Sequence, residues 1–339
     1  MLKLIYSFSL IILPLMLGYF FSKKTLQGRP ASDRYEKIRS LVQRFVLLGL
    51  NPIIFVGAVW SLNLNDPRLM ALPAVGIVAL ASGLGLGLIG MRFFHFKAAQ
   101  KGVYASCASF TNIGNIGGLL VYILIGEAGF ALVPFYKLFE DFWNFGVLFP
   151  IARTYGYAAN PAREGNSALN DKKLKAKSAI GTGLARVFKD PFFIIAFLSV
   201  SLGIVLNIAG FIRPSSYGTL NTVLIPLGSF IFLFTIGMKM SFSNLGSYAP
   251  KAALLLTGKI LIVPAIAFGF ASLIGLGAYE NGIALKTILI LAAGPVGFLG
   301  LVPPNLYGLD TKLANALWIY SNAAMLITVP LLSFILSLM

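Results

Sequence analysis

Ten apolar runs, each about as long as a helix that crosses a bilayer, limit what this chain can fold into. They cover residues 3–21, 41–62, 70–91, 102–125, 130–152, 191–212, 219–240, 250–275, 284–306 and 313–338. A helix needs roughly 20 mostly apolar residues to traverse the hydrocarbon layer. Inside lipid every main-chain N–H and C=O must be satisfied within the protein, so only helices and closed barrels span it. None of these runs alternates as barrel strands do. The chain is therefore read as an all-α polytopic membrane protein with ten transmembrane helices. Charged residues make up only 11% of its 339 positions. That is less than half the share in an ordinary soluble domain, so little of the surface faces water.

The formal net charge is +16. In a soluble protein that excess would suggest nucleic acid, but here the basic residues fall between the runs, and unevenly. Of the 27 Lys and Arg residues, 21 lie in alternate connections: 23–44, 92–101 and 153–189, then Lys239, Lys251 and Lys312. The opposite connections hold only Lys3, Arg68, Arg213 and Lys286. The positive-inside rule places the rich set in the cytoplasm and both termini outside. The surrounding partner is then the lipid bilayer of a plasma or bacterial inner membrane, not nucleic acid. Lys3 and the apolar run after it resemble a signal peptide without a convincing cleavage site, and are read as an uncleaved first helix.

The longest polar stretch is a basic loop at 155–189, expected in the cytoplasm. It separates a first five-helix repeat, 1–154, from a second, 190–339. Because five is odd, the second half enters the membrane with opposite polarity. Related halves would form an inverted 5+5 repeat, as in many secondary transporters. Weak internal matches point the same way. Gly57-x-x-x-Ser61 parallels Gly237-x-x-x-Ser241, and at a fixed offset Tyr136 aligns with Trp318 and Glu140 with Asn322.

The candidate site lies in runs 4 and 9. The segment Asn112-Ile113-Gly114-Asn115-Ile116-Gly117-Gly118 should loosen a helix, and Gly294-Pro295-Val296-Gly297 should break one, since proline lacks an N–H and clashes with the preceding turn. Matched interruptions in two halves are the best sequence pointer to a transporter site. Half-helix N-termini there would offer N–H groups to an anion. Asn112 and Asn115, three residues apart, could face one cavity. Run 5 adds Lys137, Glu140, Asp141 and Asn144. Ionisable groups at this depth are costly and mark function or mutual pairing. Lys137 and Asp141 are spaced to neutralise each other. Glu140 then stands either as a protonatable coupling group or as a partner of Lys259 in run 8. Lys137 or Lys259 could instead neutralise an anionic substrate. Ser321-Asn322 in run 10 either lines the cavity or bonds a neighbouring helix, and Asn51-Pro52 is a further candidate break.

Several of these segments together resemble the auxin efflux carrier family, which includes plant PIN-type exporters and bacterial permeases for small acids. The carrying residues are Asn112-Ile-Gly-Asn115, Lys189-Asp190-Pro191-Phe192-Phe193, Gly237-Met-Lys-Met-Ser241, Gly294-Pro295, Tyr307-Gly308-Leu309-Asp310, Ser321-Asn322 and Thr328-Val329-Pro330. The resemblance covers nearly the whole chain in order. It implies broken crossover helices in spans 4 and 9. It also implies a scaffold of spans 1, 2, 6 and 7 beside a mobile transport domain of spans 3–5 and 8–10, with a homodimer through the scaffold. Carried over by position, the crossover residues are Asn112, Asn115, Gly294 and Pro295. Where family members often have proline in span 4, this chain has Gly117-Gly118.

The expected function is a secondary transporter for a small organic anion, a carboxylate by the resemblance, with substrate-binding residues Asn112, Gly114, Asn115, Gly294, Pro295 and Asn322. No cofactor is expected beyond a coupling ion, H+ or Na+. The alternative is a sodium-coupled, bile-acid-like symporter of related fold. An enzyme is not expected: His95 is the sole histidine, Cys107 the sole cysteine, and no nucleotide-binding glycine loop occurs.

Overall fold

In the computed structural model, residues 2–27, 31–160, 187–242 and 245–339 are described. Most of the basic loop expected at 155–189, residues 161–186, lies outside them; residues up to Ala159 continue a helix, Phe149–Ala159. Among the described residues the chain is helical, with a single isolated antiparallel bridge, Thr111 to Val296.

Among the described residues six helices are long and apolar enough to cross a membrane: Ile5–Leu26, Asp33–Trp60, Pro67–Gly90, Pro191–Ile208, Ser216–Gly237 and Gly246–Leu273. Thr311–Ala323 and Met325–Leu338, bent by 41° at Ala324, would make a seventh as a pair. These correspond to runs 1, 2, 3, 6, 7, 8 and 10. The other three runs are not continuous helices. Run 4 divides into Ala98–Ser109 and Ile113–Leu124. Run 9 divides into Ile283–Ala292 and a second piece starting at Phe298. Run 5 is a chain of short turns, Glu127–Ala131, Val133–Tyr136 and Glu140–Trp143, before Phe149–Ala159.

Proline shapes the long helices without ending them. Val46–Leu50, Asn144–Leu148 and Gly258–Ile262 are wide π turns, and each lies just before a proline: Pro52, Pro150 and Pro264. A proline leaves the carbonyl four residues back without its donor and crowds it. Widening the preceding turn relieves both effects, and such bulges recur at functional sites. Asn51-Pro52 is therefore a bulge inside the continuous helix Asp33–Trp60, not a break.

Run 1 packs along run 7 and run 2 along run 6, with run 7 also touching run 2. Runs 3, 4, 5, 8, 9 and 10 pack mainly among themselves: 3 on 4 and 8, 8 on 9 and 10, 4 on 5 and 10. In lipid, helices associate through close packing rather than water exclusion, and small residues permit it. At the crossing of runs 1 and 7, a Cβ on Gly237 would lie 2.1 Å from the Leu15 carbonyl oxygen. Gly237→Ala is therefore expected to overpack this crossing, at a cost of at least about 1–3 kcal/mol. A detergent melting midpoint equal to wild type would contradict the packing described. The outer faces of runs 1, 6 and 7 expose large apolar side chains such as Phe20, Leu202, Val205 and Val223, as a lipid-facing surface should.

Candidate functional site

The two interruptions meet. Between Ser109 and Ile113, and between Ala292 and Phe298, the chain leaves the helix, and the two breaks cross antiparallel at Thr111 and Val296. Asn112 N–H donates to Pro295 O at 2.8 Å, and Gly297 N–H to Phe110 O at 3.2 Å. Main-chain groups freed from the helices thus satisfy one another, as a break within lipid requires. The approach is close: a Cβ on Gly297 would lie 2.9 Å from the Thr111 carbonyl oxygen. Ser321 Oγ accepts from Val296 N–H at 3.0 Å and donates to Trp318 O, so run 10 anchors the second interruption.

Lys259 anchors the first. Its ammonium is buried and donates to Ala108 O (3.2 Å), Phe110 O (3.1 Å) and Thr111 Oγ1 (2.9 Å). The first two carbonyls belong to the end of Ala98–Ser109, where a helix carries partial negative charge. Ser109 Oγ adds a bond to Leu80 O and accepts one from Trp143 Nε1–H.

The second half of run 4 starts at Asn112. Its Oδ1 accepts from Ile116 N–H at 3.3 Å, an N-cap, and its main-chain oxygen accepts from Gly117 N–H at 2.9 Å. The cap fixes which way the amide points. Since the oxygen faces Ile116, the NH₂ group faces away from the helix. Asn112 Nδ2 is buried and has no acceptor among the described residues. A buried donor left unpaired costs about 1–3 kcal/mol, so this amide calls for a partner such as a water, an ion or a ligand.

Asn112, Gly114 and Asn115 line a cavity of about 510 Å³ between the two packing groups. Run 5 contributes Lys137, Glu140, Asp141 and Asn144. Run 2 contributes Arg44 and Asn51, run 6 Asp190 and Phe193, run 7 Ser229, and run 9 Gly297 and Phe298. The volume suits a small organic ligand. Lys137 Nζ lies 3.7 Å from Glu140 Oε2, and a Cβ built on Gly114 would sit 3.4 Å from that ammonium. The lysine thus bridges run 5 and the start of Ile113–Leu124.

The expected pairings change in two ways. Lys137 pairs with Glu140, not Asp141, because no regular helix joins them: Val133–Tyr136 ends at Lys137, and a new turn starts at Glu140. Glu140 does not pair with Lys259, whose three N–H groups are taken by the crossover. Of the other expected site residues, Gly294 and Pro295 form the crossover strand but do not line the cavity. Asn322 lies off the cavity too, its Nδ2 bonded to Trp318 O in its own helix at 2.8 Å. Arg44 and Asp190, at the ends of their runs, were not anticipated as cavity residues.

The end of the cavity bearing Arg44 and Asp190 lies beside the lysine-rich connections. On the opposite side the two groups are held together. Glu127, at the start of run 5, accepts from the Arg213 guanidinium and from Asn221 Nδ2, which is 2.6 Å away. Lys3 Nζ donates to Leu124 O at 3.3 Å. Two basic residues of the lysine-poor side therefore tie the run 4–5 connection to runs 1 and 7.

Several helices long and apolar enough to cross a membrane, two interrupted ones that meet at their breaks, and a cavity beside the crossing that carries both charged and apolar groups fit a membrane transporter. A family model described as membrane transport protein matches residues 10–333. The chain belongs to this family, that of the auxin efflux carriers and PIN-like proteins. No curated protein matches the chain.

Proposed function

We propose that this protein is a secondary transporter that carries a small organic anion across the membrane, alternately exposing the crossover to either side. The observation that carries the reading is the cavity that Asn112, Gly114 and Asn115 line where Ile113–Leu124 begins, with the capped Asn112 amide buried and unpaired at its edge. A helix N-terminus favours negative charge, and Lys137 stands beside it. Counterflow of labelled dicarboxylates, 2-oxo acids and aromatic acids in proteoliposomes tests it. At least one acid should exchange. A folded protein that exchanges none refutes the reading.

In this reading the ten runs are ten spans in an inverted 5+5 repeat, with runs 4, 5 and 9 as the interrupted ones. Packing symmetry supports it: exchanging the halves turns the pair of runs 1 and 7 into the pair 6 and 2, and both pairs occur. The scaffold is runs 1, 2, 6 and 7, and the transport domain is runs 3–5 and 8–10. The basic connections are cytoplasmic, so the cavity faces inward and the contacts of Glu127 seal the outer side. A homodimer would use the apolar scaffold face.

Charge around the cavity favours a proton as the coupling ion. Among the described residues Arg44 and Lys137 supply two positive groups against three carboxylates, Glu140, Asp141 and Asp190. An entering anion meets a lining already short of positive charge, so proton uptake at the Glu140–Asp141 pair would accompany binding. Glu140→Gln should flatten the pH dependence of uptake while leaving exchange at the optimum within a few-fold of wild type. An active variant with an unchanged pH profile would reject this role.

A further inference from the structure

The Lys259 ammonium has the surroundings of a bound monovalent cation. Two main-chain carbonyls and a hydroxyl converge on it from one face, Ala108 O, Phe110 O and Thr111 Oγ1, at 2.9–3.2 Å. No carboxylate pairs with it among the described residues; the nearby titratable group is the buried Cys107 thiol. A buried ammonium is costly unless oxygens replace its water shell, and here all three N–H groups are satisfied. These oxygens are also the ones a free cation would need at this interruption, where a helix C-terminus and an unwound strand expose carbonyls. The wide turn Gly258–Ile262 sets the lysine there. Beside it runs an apolar crevice of about 250 Å³ between runs 3 and 8, lined by Gly83, Gly87, Gly90, Leu254 and Gly258.

We infer that Lys259 is a tethered cation: its ammonium occupies the monovalent-cation position of the crossover, so no sodium ion is bound there during transport. The positive charge that holds the crossover strand is covalently supplied and moves with runs 8 and 4 as one body. The inference rests on the crossover being the transport site, and it separates this chain from a sodium-coupled symporter of related fold. Lys259 acts as a positioning residue. It does not line the cavity, and it holds the strand from which Asn112 emerges.

The test uses purified full-length protein and its melting midpoint, with choline chloride holding ionic strength constant and no substrate present. Wild type should be indifferent to exchange of choline for Na+, Li+ or K+. Lys259→Ala should melt several degrees lower and regain at least half of the loss, saturably, with n-butylammonium or Na+. The crevice gives a small amine its route, and tetrabutylammonium should not substitute. Saturable stabilisation of wild type by Na+ overturns the inference. So does a folded Lys259→Ala that no small cation restores beyond choline. If Lys259→Ala yields no folded protein, wild type decides alone: a Na+-stimulated rate of anion counterflow overturns the inference, and a rate equal in choline supports it. Because the melting measurements contain no acid, they stand whether or not an organic anion proves to be the cargo.

Discussion

Asn112→Asp should keep the fold and lose transport. A carboxylate at this position still accepts from Ile116 N–H, so the N-cap survives. What it cannot do is offer an NH₂ group to a negatively charged ligand, and it sets a like charge against one. A hydrogen bond to a charged group contributes about 1.5–3 kcal/mol, so its loss alone lowers kcat/KM by roughly 10- to 100-fold, with repulsion added. Asn112→Ala loses cap and donor together and should be as inactive but less stable. Asn115→Ala should also abolish flux. Reconstituted uptake, normalised to folded protein, measures all three. Wild-type flux in both the Asn112 and Asn115 variants would remove the crossover from the transport path.

Bridging Glu127 and Arg213 should stop transport completely. In the described conformation these side chains hold the run 4–5 connection to the start of run 7, opposite the cavity's Arg44 end. If the anion leaves on the far side, this contact must open in every cycle. A Glu127→Cys, Arg213→Cys protein treated with a short bis-maleimide should therefore bind ligand and fail to exchange it. Each single-cysteine variant, treated alike, should stay active, because the native Cys107 is buried. Unimpaired exchange by fully cross-linked protein would mean that the two groups do not separate here.

What the sequence disclosed followed the range of the interactions involved. The interruption in run 9 was legible because glycine and proline act on their own backbone at 294–297; in run 4 the break falls at Phe110–Asn112, just before the glycines expected to cause it, which lie in the wide turn Ile113–Gly117 and at the start of the helix after it. The prolines of runs 2, 5 and 8 were equally visible, but their effect was not. Whether proline breaks a helix or widens one turn depends on whether neighbours satisfy the freed carbonyl. The pairing in run 5 was misjudged for a related reason. The i,i+4 rule that joins Lys137 to Asp141 presumes a regular helix, and the chain turns out of helix between Lys137 and Glu140. Lys259 was noticed as a charge at membrane depth, but its partners are backbone oxygens about 150 positions away, which no residue type announces. The tie of Glu127 to Arg213 and Asn221 spans some 90 positions and was hidden for the same reason. Asn322 suggested a cavity by composition alone. Its amide is instead spent on its own helix.

The account depends on an anion seated against the capped amide of Asn112, and binding to the folded state can be read directly. A thermal-shift titration should be run on wild type and on Asn112→Asp with the same panel of dicarboxylates, 2-oxo acids and aromatic acids. A ligand at 100 times its Kd stabilises the folded state by about 2.7 kcal/mol, enough to move the melting midpoint. At least one acid should raise the wild-type midpoint saturably and leave Asn112→Asp unmoved. Equal, saturable shifts in both proteins would contradict the account.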